Sequence, residues 1–307
     1  MYSLSQLRRG LSTPSLFFRE ANRLYHRRLN QQGYNTDGVD IFTEDWDNLL
    51  LLDACRYDMF TEQSTLEGRL EHRTSRGSST REFLKGNFQN RELHDTVYVT
   101  ANPQLYRHRD WLGASLHAVE HVWMEEGWDE TRQTVLPETT TEAALDAAKR
   151  YPDKRLLVHY LQPHYPFITD ETLPFDDSQP LGNPNEPASW YHVMTGDLSP
   201  STADIWRAYR DNLDRALPHV ERLLNDIEGR TVVTSDHGNM VGERAWPFPI
   251  REWGHPRGIY TEKLVKVPWL IHESGNRKST AADEPKQETD HVASDVVERR
   301  LEDLGYT

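Results

Sequence analysis

Apolar residues in this chain fall into short dense runs set between polar stretches, and the spacing within each run separates strand from helix. Leu49-Leu50-Leu51-Leu52 is apolar at every position and stops at Asp53. Thr231-Val232-Val233-Thr234 behaves the same way and stops at Ser235-Asp236-His237-Gly238. Runs of strand length that are apolar on consecutive positions predict strands covered on both faces, as in parallel sheets. By this pattern strands are expected at 47–54, at 96–101, at 155–161, at 230–234 and over Val267-Pro268-Trp269-Leu270-Ile271. A different period marks 201–227, where Ile205, Tyr209, Leu213, Leu217, Val220, Leu224 and Ile227 recur every three or four residues. That is the spacing of an amphipathic helix. Ser199, ahead of Pro200, and Ser201 are its two candidate N-caps. Pro218 is expected to kink this helix or divide it. Further helices are expected at 139–151 and 290–305.

Strands alternating with helices predict an α/β fold, doubly wound, with a mostly parallel central sheet and helices on both faces. Two segments stand outside that rhythm. Residues 168–200 are rich in Asp, Pro, Asn and Ser and read as a surface excursion or lid, and 274–289 read as a flexible connection. A loop rich in Gly, Trp and Pro is expected after 234. Residues 1–40 read as an N-terminal helical extension, and 41–307 as one domain.

Composition narrows the classes of function. The 307 residues carry a net charge of −14, with most of the basic residues being Arg, and mean hydropathy is −0.79. An acidic, Lys-poor surface suits a salt-rich cytoplasm, where screening removes self-repulsion. It argues against nucleic acid as a partner, which calls for a basic footprint. The single cysteine, Cys55, excludes an internal disulfide and any cysteine-rich metal site. No apolar run reaches the roughly 18 residues that would span a bilayer. The expectation is a soluble cytoplasmic chain. Arg8, Arg9, Arg19, Arg23, Arg27 and Arg28 alternate with apolar residues near the N-terminus. That segment reads as a solvated helix packed on the body, with a basic amphipathic helix on an anionic membrane surface as the other reading.

Chemistry concentrates where the apolar runs end. In open α/β sheets, functional residues gather at the carboxyl ends of strands. Asp53, Asp236 and His237, delivered to one edge, would offer two oxygens and one nitrogen, a set suited to Zn²⁺ or Mn²⁺. Taken alone, Asp53 reads first as a helix cap.

The order of motifs resembles the alkaline phosphatase and sulfatase-like superfamily. Asp53-Ala54-Cys55-Arg56-Tyr57-Asp58 is similar to its opening Asp-x-x-Arg-x-Asp. There follow a run of small hydroxyl residues, Ser78-Ser79-Thr80, then Pro163-His164-Tyr165-Pro166-Phe167, then Asp236-His237-Gly238 with Gly242-Glu243 behind it. His255, in Trp253-Gly254-His255-Pro256, precedes the Val-Pro strand. The resemblance spans roughly residues 45–273.

It implies a catalytic domain that acts on phosphoesters or sulfate esters with one divalent metal ion, Zn or Mn ahead of Mg or Ca, and a second metal optional. Asp53, Asp236 and His237 would bind that metal, and a hydroxyl at a helix N-terminus would complete the shell and act as nucleophile. Thr80 is the preferred nucleophile, with Ser79 and Ser78 as alternatives and a plain helix cap as the unreactive reading. His164 and His255 would contact the ester oxyanion or a second metal. His159, inside a strand, reads as a core or supporting histidine. Arg56 and Asp58 are expected to pair with each other or with the backbone and hold the first loop.

No Cys or Ser sits in the Cys/Ser-x-Pro-x-Arg pattern that formylglycine sulfatases need, and position 54 is Ala where many sulfatases carry a second Asp. Phosphoryl transfer by an unmodified Thr is therefore the preferred chemistry. The alternatives are a sulfatase-like hydrolase of sulfated glycans and a degenerate protein that binds a glycan or lipid head group without chemistry. The substrate is expected to be a small-molecule, glycan or lipid-head-group ester.

Overall fold

The computed structural model describes residues 14–28, 32–124, 127–168, 190, 193, 201–286 and 294–304. The strands in chain order are β1 (Asn48–Leu52), β2 (Arg69–Thr74), β3 (Glu92–Thr100), β4 (Ser115–His121), β5 (Arg155–Tyr160) and β6 (Gly229–Thr234), then a separate antiparallel pair, β7 (Met240–Arg244) and β8 (Arg251–Gly254), and finally β9 (Lys266–Ser274). The helices are α1 (Pro14–Arg27), α2 (Tyr57–Gln63), α3 (Thr80–Phe88), α4 (Gln104–Leu112), α5 (Pro137–Arg150), α6 (Thr202–Asp226), α7 (Glu262–Val265) and α8 (Ser294–Asp303).

Seven strands form the central sheet in the order β2-β9-β6-β1-β5-β3-β4. The run from β6 to β4 is parallel, and β9 pairs antiparallel with both β6 and β2. The expected doubly wound, mostly parallel architecture is therefore present. Its cause is visible in β1, where every residue is buried. Leu50 and Leu52 join a core with Val97, Val99, Val158 and Tyr160 beneath α5 and α6, while Leu49 and Leu51 join Tyr98, Leu157 and Val232 beneath α3 on the opposite face. Each leucine buried this way contributes about 1.5–3 kcal/mol relative to exposure.

Helix α6 corrects one expectation. It runs unbroken through Pro218. Pro218 faces solvent, so the carbonyl that loses its helical partner there can turn to water. Leu213, Ala216 and Leu217 before it, and Val220, Leu223 and Leu224 after it, anchor the helix to the core on both sides. Ser201 is the N-cap, its hydroxyl accepting from Asp204 N. Ser199 and nearly all of the 168–200 excursion lie outside the described residues.

The loop expected after 234 contains the β7–β8 pair. Helix α1 seats on the turn between these strands. Asn22 is fully buried, donating to Phe248 O at 2.9 Å and accepting from Phe248 N at 2.8 Å. Among the described residues the exposed large apolar side chains are Phe17, Phe18, Leu24 and Tyr25 on α1, with Trp246 and Phe248 in that turn.

Candidate active site

Three neighbouring parallel strands, β5, β1 and β6, end at one edge, and register decides what meets there. Leu51 lies beside His159 on one flank and Thr234 on the other. Asp53 therefore emerges next to the segment that carries Asp236 and His237. All three side chains, and His159, are completely buried.

The distances are short. His237 Nε2 lies 3.6 Å from Asp53 Oδ1, 3.3 Å from Asp236 Oδ2 and 3.3 Å from Thr80 Oγ1. His159 Nε2 lies 3.6 Å from Asp53 Oδ2 and 3.9 Å from Asp236 Oδ2. The structure thus gathers Asp53, Thr80, Asp236 and His237, and adds His159 to them. The sequence reads His159 as a core or supporting histidine, and not as one of the ligand set. The available signal was its position, one residue before a strand end at the same sheet edge.

These residues suit a divalent cation. Two buried carboxylates held face to face call for compensating charge. Ligand atoms of Asp53, His159 and Asp236 all fall within 4.8 Å of one another. Bonds of about 2.0–2.1 Å around a tetrahedral zinc would separate its ligands by about 3.3 Å, close to the spacings seen here. His237 Nδ1 donates to Gly238 O at 2.8 Å, which leaves the Nε2 lone pair facing the carboxylates. Asp236 Oδ1 accepts from the Ala54 and His237 amides, at 3.1 and 2.9 Å. Burial works to raise the Asp236 pKa, but His237, His159, the Ala54 amide and the Thr80 hydroxyl outweigh it and hold this carboxyl below its usual range. Burial drives His159 down to about 4, so its imidazole is neutral.

Local backbone explains why Thr80 is the hydroxyl presented. It is the first residue of α3, and the N-cap position belongs to Ser79, whose side chain makes no cap hydrogen bond. Capping falls instead to Glu82, which accepts from Ser78 N at 3.2 Å and Ser78 Oγ at 2.9 Å. Ser78 Oγ also lies 3.0 Å from Pro256 O and accepts from Gly258 N, and so is committed to structure. Gly77 cannot carry a Cβ here, because one would stand 2.4 Å from Phe83 N.

His164 and His255 complete the wall. Their Nε2 atoms are 2.9 Å apart, and the His255 ring centroid lies 4.6 Å from that of His237. His164 Nδ1 donates to Tyr165 O. Burial, then neighbouring charge from His237, lowers both, His164 to about 4 and His255 well below the usual range. Asn212 on α6 fixes the His164 loop, donating to Pro163 O and His164 O at 3.1 and 3.0 Å. Trp190 packs against Gly254, where φ is +70° and a Cβ would meet the indole at 2.9 Å.

The first loop is held as its residues suggest. Arg56 is buried, donates to Asp58 at 2.9 and 2.7 Å, pairs with Glu243 and stacks 4.5 Å over Trp206. Glu243 behind Asp-His-Gly thus ties that motif to the first. Cys55 is a free, buried thiol.

No protein-family model matches the chain, and no curated protein matches its sequence. Solved structures do match in shape. The C-terminal periplasmic domain of EptC from Escherichia coli, in complex with Zn, is 14% identical over 78% of this chain and 76% of that one, with a TM-score of 0.45. The soluble domain of lipooligosaccharide phosphoethanolamine transferase A from Neisseria meningitidis is 10% identical over 73% and 75%, with a TM-score of 0.43. The lipoteichoic acid synthase LtaP from Listeria monocytogenes is 10% identical over 76% and 66%, with a TM-score of 0.38. The expectation of a cytoplasmic chain is corrected by these findings, since the EptC domains of Escherichia coli and Campylobacter jejuni are described as periplasmic. No helix among the described residues is long and apolar enough to cross a membrane. The motifs that resemble the alkaline phosphatase and sulfatase-like superfamily thus meet at one edge of a mostly parallel seven-stranded sheet.

Proposed function

We propose that the chain is a metal-dependent hydrolase or transferase of phosphoesters that works through Thr80. The observation that carries this reading is the Thr80 hydroxyl: it opens a nine-residue helix, is spared from capping, and lies 3.3 Å from His237 Nε2 beside two buried carboxylates. Asp53, Asp236 and His237 would hold a divalent ion, with His159 beside them. Mixed oxygen and nitrogen donors suit Zn²⁺ or Mn²⁺. When bound, that ion supplies positive charge that lowers the pKa of the hydroxyl and of the departing oxygen.

The protein's own residues account for the rest. Thr80 Oγ1 gives up its proton to solvent and bonds to phosphorus as the opposite P–O bond breaks, and the electron pair of that bond leaves on the departing oxygen, which takes up a proton from solvent. The free amides at the start of α3 and the imidazoles of His164 and His255 bind the equatorial oxygens. Water or an acceptor alcohol then displaces the threonine, giving hydrolysis or transfer. The substrate is a small-molecule, glycan or lipid-head-group ester.

Purified Thr80→Ala, assayed against aryl phosphate mono- and diesters and aryl sulfate, tests the reading. Turnover of the phosphoesters should fall by about 10³-fold or more while the variant stays folded. Undiminished turnover rejects Thr80. Aryl sulfate turned over ahead of aryl phosphate favours the sulfatase alternative. A wild-type chain that keeps no divalent ion and gains none on titration favours a binding protein.

A further inference from the structure

Arg81 and Arg257 adjoin Thr80 and His255 in the chain and take no part in the chemistry above. Arg81 directly follows Thr80, and its guanidinium lies 5.5 Å from the Trp111 ring centroid. Arg257 follows His255 by two positions. Its segment is clamped to the start of α3, because Ser78 Oγ lies 3.0 Å from Pro256 O and accepts from Gly258 N at 3.1 Å. His108 on α4 has its ring 5.1 Å from that of Trp111, the ring that Arg81 covers. Burial first, and then Arg81, Arg107 and Arg257, push its imidazole down to about 4.

Arg81 and Arg257 are exposed and form no ion pair among the described residues. The nearby carboxylate, Glu82, is already engaged by Ser78 and by Arg27. In a chain of net charge −14, acidic residues are plentiful, and many other arginines here are paired. Like charges converging without a counter-charge repel one another unless an anion joins them. Guanidinium forks match the geometry of phosphate and carboxylate.

We infer that Arg81 and Arg257 form a subsite for a second oxyanion at the mouth of the Thr80 site, so that the substrate is an ester bearing a further phosphate or carboxylate. This rests on the proposed function and names its substrate class. The attacked phosphoryl group would sit over Thr80, and the second anion would bridge the two guanidinium groups.

Calorimetric titration of the metal-loaded protein with methylphosphonate, propane-1,3-diphosphonate and phosphonoacetate tests this. Wild type should bind at least one two-anion probe about 10–100-fold more tightly than methylphosphonate, the range of one or two charge-assisted contacts. The diphosphonate and phosphonoacetate arms tell phosphate from carboxylate. In Arg81→Gln/Arg257→Gln the advantage should fall below about threefold, and added salt should erode it in wild type. Because chelation by the probe alone would survive this double substitution, an advantage that persists in the variant overturns the subsite, as does equal binding of all probes by wild type. Thr80→Ala should keep the preference. Wild type that shows no preference for a two-anion probe but turns over aryl phosphate removes the subsite and leaves the proposed function standing. Wild type that shows the preference but turns over no ester does the reverse.

Discussion

Asn102 donates its side-chain amide to Asp53 Oδ2 at 2.6 Å, fixing one of the two carboxylates at the centre of the site. Asn102 follows β3, two strands from β1, so an outer strand orients the residue that the central strand delivers. Residues that orient metal ligands in this way typically account for 10–100-fold in affinity. Asn102→Ala should therefore weaken divalent-ion binding by roughly that factor with the fold intact, measured by competition against a chromogenic chelator. Unchanged affinity would mean that Asp53 is held by other partners or does not bind the ion.

Arg56 pairs with Asp58 within the first motif and joins it to the Asp-His-Gly motif through Glu243. Removing one member of a buried ion pair strands its partner. Since Asp58 and Glu243 are about a third exposed, Arg56→Met should cost about 2–3 kcal/mol in denaturant unfolding at unchanged slope. Arg56→Lys should recover only part of it, because an ammonium group cannot grip Asp58 with two nitrogens and stack on Trp206 at once.

Gly238 follows the ligand pair for a steric reason. A Cβ there would come within 2.1 Å of Lys263 O, while Gly238 N donates to Leu264 O at 2.7 Å. Gly238→Ala should destabilise the fold by about 1–3 kcal/mol and displace His237 from the site. Thermal melting with and without added Zn²⁺ checks both, since a displaced His237 lowers the stabilisation that the ion provides.

Acid should weaken the fold through His121. Burial and the nearby Arg109 push its pKa down to about 4. An unfolded imidazole titrates near 6.5. Between those values the unfolded chain takes up a proton that the folded chain does not, so stability declines as pH falls from about 6.5 to about 4 and levels off below. This group contributes at most about 3 kcal/mol of that decline. His121→Gln should flatten the pH dependence of the unfolding free energy by its share, and superimposable curves would show that His121 carries none of it.

The fold was most legible where burial on both faces forced unbroken apolar runs, at β1, β5 and β6. It was least legible where strands are polar. Arg69-Leu70-Glu71-His72-Arg73-Thr74 is an edge strand, paired only with β9, and its charged residues gave no apolar run. Pro218 misled because the local rule against proline was outweighed by an apolar face anchored on both sides of it. In the site, Asp53, Asp236 and His237 showed themselves by ending apolar runs. His159, Asn102 and Asn212 did not, because their roles depend on which strand or helix lies next to which, and that neighbourhood exists only in three dimensions.

The most direct test of the account is to mix the metal-loaded protein with an activated aryl phosphodiester, quench in acid during turnover, and map the covalent adduct by peptide mass spectrometry. The account predicts one phosphoryl-ester adduct on Thr80, absent from Thr80→Ala and from protein stripped of metal. Turnover with no adduct at Thr80, or with the adduct on Ser78 or Ser79, would contradict it.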